Sequence, residues 1–187
     1  GQGIYTGMAK KTFTIQAKSI NGLKVSKIDN ETYNGSAKKP EVTVKDGKEE
    51  LIIGTDYTVK YSANKKIGKA KAVISGKGNY TGTKTVYFLI VPSKAKLSKV
   101  VSPKANSIKA TWKKDKNVTG YEIQYSTSKK FSKGNKIASI KKNKTVTKTI
   151  IGLKKATTYY VRVRAYKTIR GKKNYGAWSG KKSVKCK

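Results

Sequence analysis

The sequence predicts an all-β chain that folds as two tandem β-sandwiches. Short runs rich in Val, Ile, Thr and Tyr alternate apolar and polar residues with a period of two. Turn-forming segments such as 46–47, 76–79 and 133–135 separate these runs. No stretch keeps the 3.6-residue apolar period of a helix for three turns. Short strands at this spacing are typical of β-sandwiches.

Six segments carry the strand pattern most clearly. In chain order they are residues 41–44, 57–61, 85–90, 107–112, 121–125 and 159–166. Because side chains alternate between the two faces of a strand, we expect Val161 and Val163 to face the core, and Arg162 and Arg164 to face outward. By the same alternation, Glu122 is expected to point outward.

An internal repeat and a proline define the predicted domains. Residues 1–7 share five identities, three of them glycine, with residues 76–82, and an offset of 75 residues suits a small sandwich repeated in tandem. Pro92 follows an apolar run and cannot continue a central strand. We therefore predict three segments within a monomeric fragment of a larger multidomain chain. They are the terminal strand of a preceding truncated repeat at 1–18, a first domain at 19–91 and a second at 92–187.

The composition excludes several classes of function. The 187 residues include 44 Lys and Arg, 9 Asp and Glu, no His and one Cys, for a net charge of +35. The chain by itself cannot build a Ser–His–Asp triad, a Cys–His nucleophile pair, a Cys/His zinc site or an internal disulfide. We therefore expect no enzyme activity, no catalytic or metal site and no cofactor. The longest apolar run has six residues, so no membrane span is expected.

The charge is divided unevenly along the chain. Residues 1–91 hold 16 basic and 7 acidic residues, a net charge of +9, whereas residues 92–187 hold 28 and 2, a net charge of +26. Such an asymmetry favours a polyanionic partner for the second half. The cations are mostly Lys, are spread evenly and belong to no nucleic-acid-binding motif, so sequence-specific nucleic acid is not expected. An anionic cell-wall polymer or glycan is the expected partner.

Residues 92–187 resemble a fibronectin type III domain over nearly their whole length. The residues that carry the resemblance are Pro92, Trp112, segments 120–125 and 151–165, and Gly176-Ala177-Trp178-Ser179. It implies that Trp112 lies between the two sheets. It also implies that Leu153 and Tyr159 form a corner in which the tyrosine hydroxyl bonds to the backbone.

Residues 19–91 resemble a bacterial immunoglobulin-like repeat. Segments 33–40, 42–47, 54–61 and 76–82 carry this resemblance. Such repeats precede fibronectin-like domains in the C-terminal regions of secreted and cell-surface proteins of Gram-positive gut bacteria, the Firmicutes. The resemblance implies a scaffold role and a location outside the cell, at the bacterial surface.

The outward face of segment 159–166 supplies the candidate binding residues. Tyr160, Arg162, Arg164 and Tyr166 could form a cation–aromatic ladder for a surface ligand, and they could equally be ordinary solvated strand residues. Several other tyrosines, Tyr57 among them, are expected to reach the surface in part.

The function expected from the sequence is that of a non-catalytic extracellular spacer and anchor, held near anionic cell-wall polymers by its lysines. The alternative is an adhesin or carbohydrate-binding accessory module that recognises a specific glycan or protein of the host or diet. Two matters stay open at this stage. Residues 1–18 could pair within this chain or with another one, and Cys186 could pair between chains or be a small strand residue.

Overall fold

A computed structural model describes Gly3, Gly7, Met8 and residues 10–187 of the chain. The described residues divide into two compact units. The first comprises residues up to 27 together with 42–60 and 73–86, and the second comprises 28–41, 61–72 and 87–187. The predicted boundary at Pro92 stays a prediction, since this division groups some earlier segments with the C-terminal residues.

In the N-terminal half, the residues that the structure describes form nine strands and one turn of 3-10 helix at Ile20–Gly22. The strands are β1 (Lys18–Ser19), β2 (Lys24–Val25), β3 (Glu31–Thr32), β4 (Val44–Asp46), β5 (Glu49–Glu50), β6 (Tyr57–Ser62), β7 (Gly68–Gly76), β8 (Tyr80–Thr81) and β9 (Thr83–Val91). Strands β2, β4 and β5 form an antiparallel sheet, and β1 pairs in parallel with β8. Strands β3, β9, β7 and β6 form a four-stranded sheet in that order.

The C-terminal half contains eight strands. They are β10 (Leu97–Val101), β11 (Ile108–Trp112), β12 (Gly120–Ser126), β13 (Lys136–Ile140), β14 (Thr147–Ile150), β15 (Thr158–Ile169), β16 (Lys172–Tyr175) and β17 (Lys182–Lys185). One sheet has the order β10-β11-β14. The other has the order β13-β12-β15-β16, with β17 also paired to β15. The all-β fold class predicted from the sequence is confirmed.

Each of the two units buries the apolar faces of its strands. In the first unit the buried apolar residues include Ile20, Leu23, Val42, Val44, Leu51, Tyr57 and Ile74. In the second unit one cluster includes Leu97, Ile108, Ala110, Trp112, Tyr121, Ile123, Ile150, Leu153, Val161, Val163 and Ala165. The alternation expected for β15 is confirmed, because Val161, Val163 and Ala165 are buried while the residues between them are half-buried. The burial of these apolar faces is the main stabilising contribution to the fold of each unit.

One strand prediction for the N-terminal half is wrong in part. Segment 41–44 is predicted as a strand, but strand pairing begins at Val44, the first residue of β4. Residues 10–17 lie in the segment 1–18 that is predicted as the terminal strand of a preceding repeat; they carry no strand here and are exposed, and the assignment stays a prediction. The rest of the predicted segment 1–18 lies partly outside the described residues. Within residues 10–17, Phe13 and Ile15 are largely exposed.

The nine-residue strand β7 is an element that the pattern did not predict. Its first half alternates Ala with Lys, residue types that are depleted in strands. Ala70, Ala72 and Ile74 are nevertheless fully buried. Small alanine side chains suffice there because neighbouring strands on both sides supply the pairing and the packing.

Candidate functional site

The candidate site lies on the polar face of the sheet formed by β12, β15 and β16. The antiparallel register places Glu122 opposite Arg164 and Gln124 opposite Arg162. Arg162 and Arg164 alternate with the buried residues of β15, and the residues paired with them on β12 point to the same side, so these four side chains share one face of the sheet. Two arginines therefore stand next to each other, one facing a carboxylate and the other facing a neutral amide.

The Glu122 carboxylate is buried, with 4% of the residue exposed, although the sequence placed it outward in solvent. Its Oε2 accepts hydrogen bonds from the Arg164 Nη2 (2.7 Å) and Nε (3.1 Å). Its Oε1 accepts from the Lys173 Nζ (3.1 Å) and the Tyr175 hydroxyl (2.9 Å). A buried charge persists where it is paired and hydrogen-bonded in this way.

The same contacts set the pKa values of this cluster. Burial raises the pKa of the Glu122 carboxyl, but hydrogen bonds from Arg164, Lys173 and Tyr175 outweigh burial, so its pKa lies below the usual range. The hydrogen bond to Glu122 raises the pKa of Lys173. Burial and the nearby carboxylate raise the pKa of Tyr175. The cluster is therefore a charged network in which the pKa of Glu122 is lowered and the pKa values of Lys173 and Tyr175 are raised, each away from neutral pH.

A stack of alternating cations and aromatic rings crosses this face. The Arg162 guanidinium carbon lies 4.2 Å from the Phe131 ring centroid and 4.8 Å from that of Trp178. The Arg164 guanidinium carbon lies 4.3 Å from the Trp178 centroid and 3.7 Å from that of Tyr175. Trp178 thus contacts both arginines, and its electron-rich ring offsets part of their mutual repulsion.

Local structure holds two rings of this stack, Trp178 and Phe131, in place. Next to Trp178, the Ser179 backbone N–H donates to the Val163 carbonyl (2.8 Å) and the Ser179 hydroxyl accepts from the Val163 N–H (3.0 Å). Phe131 has φ of 55°, a left-handed conformation that a bulky residue adopts at a cost of about 1–2 kcal/mol. The Asn135 side-chain amide bonds to the Phe131 carbonyl (2.7 Å) and supports this turn.

The cation–aromatic ladder proposed from the sequence exists with different rings. The candidate residues Arg162 and Arg164 lie in it, but their ring partners are Phe131, Trp178 and Tyr175. The prediction that Tyr166 reaches the surface is wrong. Its ring is 2% exposed and its hydroxyl donates to the Ile140 carbonyl (3.3 Å).

Two other tyrosines named in the sequence analysis, Tyr160 and Tyr57, differ in how deeply they are buried. Tyr160 is half-buried, and no described ring contact joins it to the stack. Tyr57, also expected to reach the surface, is buried, and its hydroxyl donates to the Val42 carbonyl (2.6 Å). Tyr57 and Tyr166 are buried because each ring supplies a large apolar area while a backbone carbonyl accepts a hydrogen bond from its hydroxyl.

The three residues assigned structural roles lie in the second unit. Trp112 is 2% exposed, with its ring centroid 5.4 Å from that of Tyr121. Leu153 is buried in the same core. The Tyr159 hydroxyl accepts a hydrogen bond from the Lys154 backbone N–H (3.0 Å).

Three further observations bear on what the described residues can do. The described residues contain no group of three or more His, Cys, Asp and Glu side chains arranged to hold a metal ion. Cys186 is a free thiol with 2% of its surface exposed. Within the described part of the chain, no helix has the length and apolar character needed to cross a membrane.

The segment that builds this site has a recognisable family. Residues 93–178 match the family model described as fibronectin type III domain. Residues 93–178 form a fibronectin type III domain. This domain is typically a non-catalytic structural or binding module within a larger protein and is common in extracellular proteins, and no enzymatic family matches the chain.

Solved fibronectin type III domains resemble this chain at low sequence identity. The FN5 domain of Drosophila Lar is 24% identical, with 51% of this chain and 97% of that chain covered and a TM-score of 0.41. An fn3 domain of human contactin 1 is 18% identical, with 50% and 77% covered and a TM-score of 0.42. The FN1-FN3 domains of chicken CNTN1 are 14% identical, with 92% and 69% covered and a TM-score of 0.46. No curated protein matches the chain.

Proposed function

We propose that this chain supplies non-catalytic extracellular spacer and anchoring modules of a bacterial cell-surface or secreted protein. Its fibronectin type III domain follows an immunoglobulin-like repeat at residues 19–91, and both separate an upstream functional domain from the surface. Lysines on the second half hold this region near anionic cell-wall polymers by electrostatic attraction.

The exposure of the lysines is the observation that supports this proposal best. Residues 92–187 contain 25 lysines, of which 23 are exposed and two, Lys167 and Lys173, are half-buried. The same segment has two acidic residues, and the Glu122 charge is already paired with Arg164 and Lys173. Nearly all of the +26 charge therefore faces outward, where a polyanion can meet it.

Retention on purified Gram-positive cell wall tests the proposal. We expect the whole chain to bind the wall at low ionic strength and to be released progressively as sodium chloride is raised toward 1 M. The reason is that added salt shortens the range of attraction between exposed charges, from about 30 Å at 0.01 M to about 3 Å at 1 M. Binding that does not change with salt would contradict the proposal.

A pair of matched variants tests which half of the chain contributes more to retention on the cell wall. Each variant replaces four exposed lysines with glutamine, so both lose the same charge. The test variant changes Lys141, Lys142, Lys144 and Lys148, and the control changes Lys39, Lys48, Lys65 and Lys66. We expect the test variant to leave the wall at a lower salt concentration than the control. Equal release would show that total charge, and not the second half, governs retention.

The adhesin hypothesis makes a different prediction for the same chain. A glycan array at moderate salt would then give saturable binding to one neutral sugar, which a field of lysines does not explain. Binding spread over anionic glycans and weakened by salt supports the anchoring proposal.

A further inference from the structure

A small cavity lies next to the stack of rings and cations. Its volume is about 310 Å³. The residues that line it are Lys129, Lys130, Phe131, Arg162, Ser179 and Lys181. Four of these six residues carry a positive charge and none carries a negative charge. The cavity therefore concentrates positive potential at a place where the surface is concave.

The two stacked arginines differ in how their charge is balanced. Arg164 pairs with the Glu122 carboxylate at 2.7 Å. In the part of the chain that the structure describes, no carboxylate lies within 4 Å of the Arg162 guanidinium, whose Nε donates instead to the neutral Gln124 Oε1 at 2.7 Å. Arg162 is thus a half-buried cation with no counter-charge among the described residues.

Arg162 also has hydrogen-bond donors to spare. A guanidinium carries five N–H groups, and the bond to Gln124 uses the one on Nε. The two terminal nitrogens make no hydrogen bond to any residue that the structure describes, and Arg162 lines the cavity. This edge of a guanidinium is the part that binds an oxyanion with two parallel bonds.

The surroundings of Arg162 favour the binding of an anion. Burial lowers the pKa of the Arg162 guanidinium, and the positive charge of Arg164 lowers it further. Both effects mean that the charged form lacks solvation and negative partners. An anion entering the cavity would supply the missing partner.

The guanidinium is held rigidly before any ligand arrives. The Arg162 guanidinium carbon lies 4.2 Å from the Phe131 ring centroid and 4.8 Å from that of Trp178, and its Nε donates a hydrogen bond to Gln124. Lys181 also donates from its Nζ to the Lys129 carbonyl at 3.1 Å, which links two segments of the cavity wall. A preorganised donor loses less entropy on binding than a free side chain does.

We propose that the cavity next to Arg162 binds one tetrahedral oxyanion, a phosphate or sulfate group carried by the anionic polymer. The Arg162 terminal nitrogens donate to two of its oxygens, while Lys129, Lys130 and Lys181 supply further positive charge. A tetrahedral group fits four cations better than a carboxylate does, because it offers more oxygens and, as phosphate, more charge. This inference rests on the proposed function and names the group recognised there.

Arginine side-chain NMR signals test the site directly, since the chain has three arginines, Arg162, Arg164 and Arg170. The whole chain is titrated with sodium phosphate, sodium sulfate or sodium acetate, while sodium chloride keeps the ionic strength constant. We expect the Arg162 Nε–H signal to shift saturably with phosphate and sulfate, and less with acetate. Shifts of equal size in all three arginines, or none at Arg162, would overturn the site. An equal response to acetate would overturn the choice of a tetrahedral group.

A matched pair of variants then separates the site from the general charge. Arg162→Gln and Arg170→Gln each remove one positive charge, but Arg170 is exposed and lines no part of this cavity. We expect Arg162→Gln to weaken phosphate binding about 10-fold or more, because a charged donor pair is lost. We expect Arg170→Gln to leave it unchanged. Arg162→Lys keeps the charge without the fork of donors and should weaken binding almost as much.

These outcomes distinguish the site from the anchoring function. If Arg162→Gln and Arg170→Gln bind phosphate equally while the chain still leaves the cell wall with salt, the site is wrong and the anchoring proposal stands. If phosphate shifts the Arg162 Nε–H signal but the wild-type chain is not retained on the cell wall, the oxyanion site stands. The polymer that carries the oxyanion is then not a cell-wall polymer. Far-UV circular dichroism of each variant shows that a loss of binding does not come from unfolding.

Discussion

At the scale of single residues, Glu122 has the largest share in ordering the polar face. Its two oxygens accept from Arg164, Lys173 and Tyr175, so one carboxylate positions side chains from both β15 and β16. Removing one partner of a buried ion pair costs more than the pair contributes, because the remaining charges lose their counter-charge. Arg164 and Lys173 would then have to be satisfied by water.

We expect Glu122→Gln to lower the free energy of unfolding by about 2–4 kcal/mol. Glutamine keeps the shape of the side chain but cannot neutralise Arg164 and Lys173. Urea unfolding of the whole chain measures the difference. The control Glu41→Gln removes the same charge from an exposed position and should change stability by less than about 0.5 kcal/mol. Equal effects of the two substitutions would contradict this account of Glu122.

The stability contributed by Glu122 should depend on pH in a defined direction. Burial raises the Glu122 pKa, but its hydrogen bonds hold the folded-state value below the ordinary 4.5. A carboxyl with a depressed folded pKa stabilises the protein above its unfolded pKa, and this contribution disappears as the pH falls through the folded pKa. The gap in unfolding free energy between wild type and Glu122→Gln should therefore be full at pH 6 and narrow below about pH 4.5. A gap that widens in acid would contradict it.

At the scale of elements, the start of β12 depends on a glycine. A Cβ placed on Gly120 would overlap the Ile140 carbonyl oxygen on β13 and would come within 2.8 Å of the Tyr166 hydroxyl on β15. Both neighbours belong to strands paired with β12, so neither can move without disturbing the sheet. The close approach, and not a turn, explains glycine at this position.

Gly120→Ala should destabilise the second half by about 1–3 kcal/mol through overpacking. The matched control is Gly180→Ala, where a Cβ would meet nothing within 4 Å. We expect that control to unfold at nearly the wild-type urea concentration. If both alanine variants unfold together, the contact with Ile140 does not limit this position.

Local patterns predicted some elements better than others. Strands with alternating β-branched and aromatic residues, such as β6, β12 and β15, lie where the sequence places them. Strand β7 was missed because its alanines carry weak strand propensity and gain their burial from neighbouring strands. The short strands β1 and β8 pair in parallel across about 60 residues of sequence, and a pairing so distant leaves no local pattern.

At the scale of the whole molecule, the net charge of +35 makes the surface repel itself. Such repulsion destabilises the compact state and is relieved when salt screens it. The exposed lysines of residues 92–187 have few acidic partners, so the effect should be largest in that half.

We expect the melting temperature to rise by about 5 °C between 10 mM and 500 mM sodium chloride, which corresponds to about 1 kcal/mol of relieved repulsion. Differential scanning calorimetry measures this rise in melting temperature. The variant lacking Lys141, Lys142, Lys144 and Lys148 provides the control, since it should melt higher at low salt and gain less from added salt. A wild-type melting temperature that falls with salt would show that attractive ion pairs dominate instead.

The candidate site could be predicted in part. Alternation along β15 placed Arg162 and Arg164 together on one face, and the lone Glu122 among so many cations was a usable signal. Phe131 and Trp178 could not be assigned, because they come from segments outside β15 and reach Arg162 only after the sheet has formed. Tyr166 was misplaced because alternation does not tell which outward side chains are covered by their neighbours.

The sequence by itself determined the all-β class, the fibronectin type III character of residues 93–178 and the concentration of positive charge in the second half. These properties depend on local periodicity, short spacings and composition, which a linear chain carries completely. The tertiary structure decided which charge is neutralised, since Glu122 pairs with Arg164 whereas Arg162 donates to the neutral Gln124. That choice depends on strand register and on rings brought from distant segments, and such information exists only in the folded chain.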